Sequence, residues 1–552
     1  MIKKLLFIVV LISFFFAVHV SFSQIKLNVK VSASNLLRYG TGKINSATGD
    51  EEKKYFEELA DVRLFVNDFL FGARYEFDDP IEYGKSTKSI SRRFIEFKKD
   101  DFTVRAGNYY ELFGKGLTLN AFENRPLGFN TQADGLKLYY KHTFGKNIKF
   151  NGTILGGDID YTDILDTSRT EHYSIRAGNF SVSPKKFITI GGSYLYANGQ
   201  IPIQNTYTEI NSEIFEANLG LSYNGFDFYG SYANKVTISD PNAFYPQSKA
   251  PRGDGGYGFL SYTRGGLGIT IDYKNYRFNL VTPNERSTSN PFKPLPFQNA
   301  PTAIKEYSST LLSRFPHNID FGDEVGFQID IFYSPAKNLT INGNFSLTSR
   351  HYDYKDIDTT AKTRYERIER SNAWLPSLTD ELSPYWEFYL EGEYYYNKVD
   401  KVKLGIARKT SILYSIVDPA SSEKIRSFTV PLEAQYTFAK IYSIKLIAEF
   451  QSAYNNLRSE GENDYISQFT SIALARSPDL ILVGNVEITT DNEDPSGKKR
   501  WANVELTYRF STANTVTLSY GSERGGIKCS SGICRYVNPF NGFRLTVINN
   551  FN

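Results

Sequence analysis

The sequence predicts an all-β fold, a transmembrane antiparallel up-and-down barrel of about 24 strands, within the range of 20–26. Three observations predict it. Apolar and polar residues alternate with a period of two along nearly the whole chain. Tight turns and longer polar links follow one another in strict alternation. Aromatic residues make up 15% of the 552 residues, with 39 Tyr and 42 Phe, yet the mean hydropathy is −0.37. Rings placed among polar neighbours suit a wall with oil on one side and water on the other.

The first residues, "MIKKLLFIVVLISFFFAVHVSFSQ", combine Lys3 and Lys4 with an apolar run from Leu5 to about Val20 and the small-x-small site Ser21-Phe22-Ser23. This reads as a signal peptide over residues 1–23, with the mature domain at 24–552. No later run reaches the roughly 20 apolar residues a spanning helix needs. Strands are therefore the expected means of crossing a membrane.

The alternation is plain in "WEFYLEGEYYY", where Trp386, Phe388, Leu390 and Tyr394 interleave with Glu387, Tyr389, Glu391 and Glu393. It recurs in "NLTINGNFSLTSR", with Leu339, Ile341, Phe345 and Leu347, and in "DLILVGNVEIT", with Leu480, Leu482, Val486 and Ile488. Each strand of a membrane barrel reads this way because lipid-facing and lumen-facing positions alternate. Backbone groups in hydrocarbon must all be paired, so the sheet has to close on itself. The closing strand, "GFRLTVINNFN", is expected to pair with "IKLNVKVSAS" (Ile25–Ser34), with Phe551 at the membrane–water boundary.

Turn residues mark reversals at Asn67-Asp68, Lys98–Asp101, Gly145–Asn147, Ser183–Lys186, Asn224-Gly225 and Arg264–Gly266. More follow at Ser334–Asn338, Asn397–Asp400, Ala439–Tyr442, Ser477–Asp479 and Ser511–Asn514. Longer links are expected at 38–55, 78–90, 158–170, 237–254, 280–321, 351–383 and 524–540. Short turns on one side and long loops on the other, with an even strand number, put both chain ends on the periplasmic side.

The link at 109–133 is too aromatic and glycine-dotted for a flexible outside loop; it either folds inward as a lumen constriction or packs on the rim as an ordered loop with its charges solvated. Glu111, Lys115, Glu123, Arg125 and Asp134 are the candidate residues that would set the charge a solute meets. Glu387, Glu391 and Glu393 share the expected inner face with Lys401, Lys403 and Lys409, either as a selectivity strip or as ordinary cross-strand charge pairing. Cys529 and Cys534 are the only cysteines, and in a secreted chain they are expected to form a disulfide in the last long link.

A net charge of +3, from 63 basic and 60 acidic residues, leaves no footprint for nucleic acid. The five histidines are scattered, no metal or cofactor is called for, and GxSxG, HExxH and phosphate-loop signatures are lacking. An enzyme is not expected. The weakest alternative is a barrel hydrolase built on His351, with Asp353 and Asp356 nearby, or on His317; a solvated loop histidine is the ordinary account of His351.

The leader, the strand pattern and the last strand resemble Gram-negative outer-membrane β-barrel proteins. The segment "RAGNYYELFGKGLTLNAFENRPLGFNTQADGLKLYY" (Arg105–Tyr140) resembles the strand, inward loop and next strand of porin-like families, most of all an uncharacterised porin-like family of Bacteroidota type. "GSERGGIKCSSGICRYVNPFNGFRLTV" is similar to that group's endings. The resemblance implies a cell outer-membrane address and supplies no substrate. Ala106-Gly107-Asn108 stands where better-known relatives have Gly-Arg, so no sugar or polyuronate specificity follows.

The function expected is therefore a porin-like channel for passive passage of small hydrophilic solutes, with outer-membrane lipid as its surroundings. The alternative is a non-transporting barrel acting as scaffold, adhesin or secretion-assembly component, with 280–321 and 351–383 as contact surfaces. No protein partner is legible. A TonB-dependent transporter is disfavoured, because no plug domain is expected ahead of the first strand.

Overall fold

Alternating side chains in consecutive hairpins force a sheet with two unlike faces, and here that sheet closes. The computed structural model describes residues 27–46, 49–145, 147–164, 166–203, 206–241, 253–278, 290–357, 365–530 and 533–551. The signal peptide expected at 1–23 lies outside them. Twenty-four strands form one antiparallel barrel in which each pairs with its neighbours in the chain. Short 3-10 turns at Arg125–Leu127, Asp380–Leu382 and Pro419–Ser421 are the only helical elements among the described residues.

The first strand (Val29–Ser46) pairs with both its successor and the last strand (Phe540–Phe551), which removes both open edges. The closing register runs from Ala33 opposite Phe551 to Ile44 opposite Phe540. It therefore lies further along the first strand than the expected Ile25–Ser34. The tight turns stand at or beside their expected places.

The link expected at 38–55 is instead a paired hairpin up to Ser46 opposite Gly49. Polarity there marks a strand with water on both sides, not a loop. Other strands are equally long: Thr206–Tyr223 has 18 residues, against the roughly 9–11 that cross a bilayer. Their upper portions form a wall standing beyond the apolar belt.

The two faces differ as parity demands. Phe450 is 39% exposed, while Glu449 and Gln451 on either side are 4% and 2% exposed. Outward positions such as Phe388, Leu390, Leu482 and Val486 form an exposed apolar belt of the kind hydrocarbon covers. Charged and polar residues line the interior.

Candidate functional site

Two chain segments, 110–132 and 290–321, fold into the barrel. The first is the link expected either inside or on the rim. Leu117 and Leu119 are fully buried with Leu195, Ile201, Ile210 and Phe297 in a hydrophobic core enclosed by the barrel wall. Thr118 Oγ1 donates to Glu216 at 2.6 Å, and Ser193 Oγ donates to Thr118 Oγ1 at 2.9 Å. Gly116 has φ +95°, and a Cβ there would stand 2.3 Å from the carbonyl oxygen of Asn299, so the contact requires glycine.

The candidate constriction residues are largely absorbed in holding this segment. Glu123 accepts from Arg74 at 2.9 Å, Arg92 at 3.0 Å and Arg125 at 3.2 Å, and Arg125 also bridges to Glu76 and Glu57. Burial opposes charge on Glu123, yet the three guanidiniums together hold its carboxyl below the ordinary range. Glu111 pairs with Lys137 at 3.0 Å, and the Lys115 ammonium lies 5.5 Å from the ring centres of both Tyr229 and Phe259. Asp134 is a correction. It follows buried Ala133 on a strand whose next outward residue is exposed Leu136, so it faces outside, 3.3 Å from Arg93. It is expected among the constriction residues just past the loop's end at 133, but the strand begins at Ala133 and its parity turns Asp134 outward.

The second inward segment falls in the link expected outside, at 280–321. It crosses the lumen from wall to wall, tied to the first where Asn120 N donates to the Phe297 carbonyl at 2.7 Å and Gln298 Nε2 donates to that of Leu117 at 2.9 Å. Its strap, residues 305–314, ends on the far wall. Thr310 N and Leu311 N donate to the Glu449 carboxylate at 3.0 and 2.6 Å, and Gln451 Nε2 donates to Leu311 O at 2.8 Å. Lys409 donates to Leu312 O, and Arg314 donates to Gly525 O and pairs with Glu487.

The strap separates two cavities along one wall. The outer one, about 520 Å³, is lined by Tyr385, Glu487, Trp501, Arg524 and Cys529, near the long links. The inner one, about 390 Å³, is lined by Glu391, Lys403, Glu433, Lys445 and Ile447, nearer the tight turns. Lys305, Tyr307, Thr310 and Leu312 of the strap line both. Burial, with Glu387 beside it, drives the Tyr307 hydroxyl far above its ordinary pKa. Its ring packs edge-on against Tyr389 at 5.1 Å. Trp501 Nε1, inside the barrel, has no hydrogen-bond partner among the described residues.

The glutamate and lysine strip belongs to this wall. Lys403 lies 3.0 Å from Glu391, Lys401 2.9 Å from Glu393, and Lys409 3.6 Å from Glu387. These are cross-strand pairs, and Glu391 and Lys403 also face the inner cavity.

Residues 1–551 match the profile of a family of unknown function, DUF6029. The chain belongs to that family. No curated protein matches it in sequence. Among solved structures, the FrpB iron transporter from Neisseria meningitidis is 10% identical at a TM-score of 0.47, covering 95% of this chain and 82% of its own. The siderophore receptor PirA from Pseudomonas aeruginosa is 8% identical at 0.46, covering 95% and 81%. The P pilus usher (PapC) translocation pore is 9% identical at 0.42, covering 95% and 100%. None of these likenesses bears on what the DUF6029 barrel carries.

Two histidines of the DUF6029 barrel, His351 and His317, are held among other side chains rather than solvated. His351 is fully buried, its Nδ1 2.9 Å from Asp323 Oδ1 and its Nε2 3.0 Å from Asn275 Oδ1. Asp353 and Asp356 sit apart from this arrangement, on a small hairpin paired with Tyr365–Ile368. His317 Nε2 lies 3.1 Å from Glu324 and its ring 4.6 Å from that of Tyr385.

Cys529 and Cys534 are joined in a disulfide across the hairpin Gly526–Val537. Replacing both by Ser should cost about 2 kcal/mol by loop-closure entropy. That loss should stay local: protease nicking within 526–537 should rise in the double variant while the barrel's melting temperature holds.

The second inward segment left a trace in the sequence. "PFKPLPFQNAP" sets Phe292, Leu295 and Phe297 among prolines in a link assigned to water. Such apolar density marks burial, by the same reasoning that sets 109–133 apart from a flexible outside loop.

Proposed function

We propose that this DUF6029 chain is a porin-like barrel of the outer membrane, of the Bacteroidota type its motifs resemble. In this reading residues 1–23 are its cleaved leader and residues 24–552 a single domain that passes small hydrophilic solutes. The observation that carries the reading is the pair of cavities on one charged wall, divided by a single strap. A solute would enter the outer cavity past Trp501 and Arg524, pass the strap at Tyr307, and leave along the paired Glu391–Lys403 and Glu433–Lys445 strip. Paired charges of both signs offer water-like solvation without trapping either kind of ion, the balance that permeation requires. The opposite half of the lumen is filled by the hydrophobic core around Leu117 and Phe297 and offers no such route.

Purified protein in planar bilayers tests this. Discrete, small conductance steps with weak preference between anions and cations are expected. A barrel that is folded and inserted yet electrically silent would overturn the passage and favour a scaffold.

A further inference from the structure

The link between strands Leu339–Ser349 and Tyr385–Tyr395 does not stand clear of the barrel. It folds down over the outer wall. On the strand Leu267–Arg277, Asp272 and Lys274 point inward to Tyr257 and Glu324, so Ile271, Tyr273 and Asn275 point outward. The Tyr273 hydroxyl donates to the Trp374 carbonyl at 2.7 Å, and Asn275 Nδ2 lies 3.4 Å from that of Ala373. The Arg277 guanidinium sits 5.5 Å from the Trp374 ring centre.

His351 is the pin of this flap. Its backbone N–H donates to Asp323 Oδ1 at 3.0 Å, and its ring bridges Asp323 and the outward Asn275. Val325 has the parity of exposed Ile331 yet is wholly buried.

The tip of the flap turns its apolar side chains away from the protein. Trp374 is 63% exposed, Leu375 55% and Leu378 63%. Their height on the wall is fixed by Tyr273, one outward position beyond Ile271, which is itself exposed. The tip therefore continues the apolar belt at its upper margin. Rings with one apolar and one polar side settle at that level, and side chains of this kind bury themselves at the boundary of headgroups and acyl chains.

We propose that residues 371–379 are a membrane-surface anchor, with Trp374, Leu375 and Leu378 inserted at the headgroup–acyl boundary of the leaflet around the barrel. The proposal rests on the membrane-spanning reading above. It gives His351 a role as a positioning residue for the flap.

The test uses the full-length protein carrying W386F and W501F, so that Trp374 is the sole tryptophan, in phosphatidylcholine vesicles with brominated acyl chains. Emission should fall with bromines placed high on the chains, fall less with deep ones, and resist iodide in the buffer. Free quenching by iodide with indifference to bromine would overturn the anchor. So would shielding from both that appears only at high protein density, since a second copy would then cover the tip. His351→Ala should shift Trp374 from bromine to iodide sensitivity. A sole tryptophan at Leu482→Trp, with Trp374, Trp386 and Trp501 all changed to Phe, is the control. Deep bromines should quench it, and failure there would sink the spanning reading itself rather than the anchor alone.

Discussion

Replacing residues 305–314 with Gly and Ser should raise single-channel conductance several-fold. The strap lies between the two cavities of the charged wall, and Lys305, Tyr307, Thr310 and Leu312 line both. It is held by the Glu449 carboxylate, Gln451 and Lys409, by the Arg314–Glu487 pair, and by Tyr307 and Leu312 packed against Tyr389. Glycine and serine keep the chain continuous but remove the aromatic ring, the leucine and the guanidinium that fix its position. The two cavities would then join, and steps should become larger and noisier in bilayer recordings. Replacing 112–130 in the same way should not give this result, because that segment belongs to a core, not a gate. Unchanged conductance in the strap variant, with enlarged conductance in the other, would move the path to the opposite wall.

The second large effect concerns stability. Phe297→Ala should cost about 3–5 kcal/mol, the usual toll of emptying a fully buried aromatic site. Phe297 is 0% exposed and packs edge-to-face on Tyr173 at 5.2 Å. Its carbonyl receives the Asn120 N–H, so the cavity would open at the seam between the two inward segments. A urea titration of the folded barrel should show the midpoint fall. A change below about 1 kcal/mol would mean that the interior core is too loose to behave like a packed one.

What could be read from the sequence follows from which physical contrasts it encodes. Strand faces were legible because each residue meets one of two unlike surroundings, as Phe450 and Glu449 do. Turns were legible because reversals demand special residues. Whether a long link folds outward or inward is not encoded by connectivity, and it had to be judged from composition. Composition carries that signal at 109–133, and equally at 290–321, where Phe292, Leu295 and Phe297 stand in a link expected outside. Asp134 turns outward because a single residue decides parity at the end of a loop. At 38–55 the hydrophilic side chains suit a loop and a strand wetted on both sides equally well, and the chain forms the strand. His351 looked available beside acidic neighbours in sequence, but Asp323 and Asn275, distant in the chain, enclose it.

The seam where Ala33 meets Phe551 has a bearing on how this protein is made. Every other neighbouring pair of wall strands is adjacent in order of synthesis, whereas this one joins opposite ends of the polypeptide. Loop-closure entropy delays such a contact until nearly everything else is in place. Assembly is thus ordered in time, with hairpins first and the cylinder sealed last. A molecule truncated by a dozen residues would carry every part of the passage and still be unable to finish.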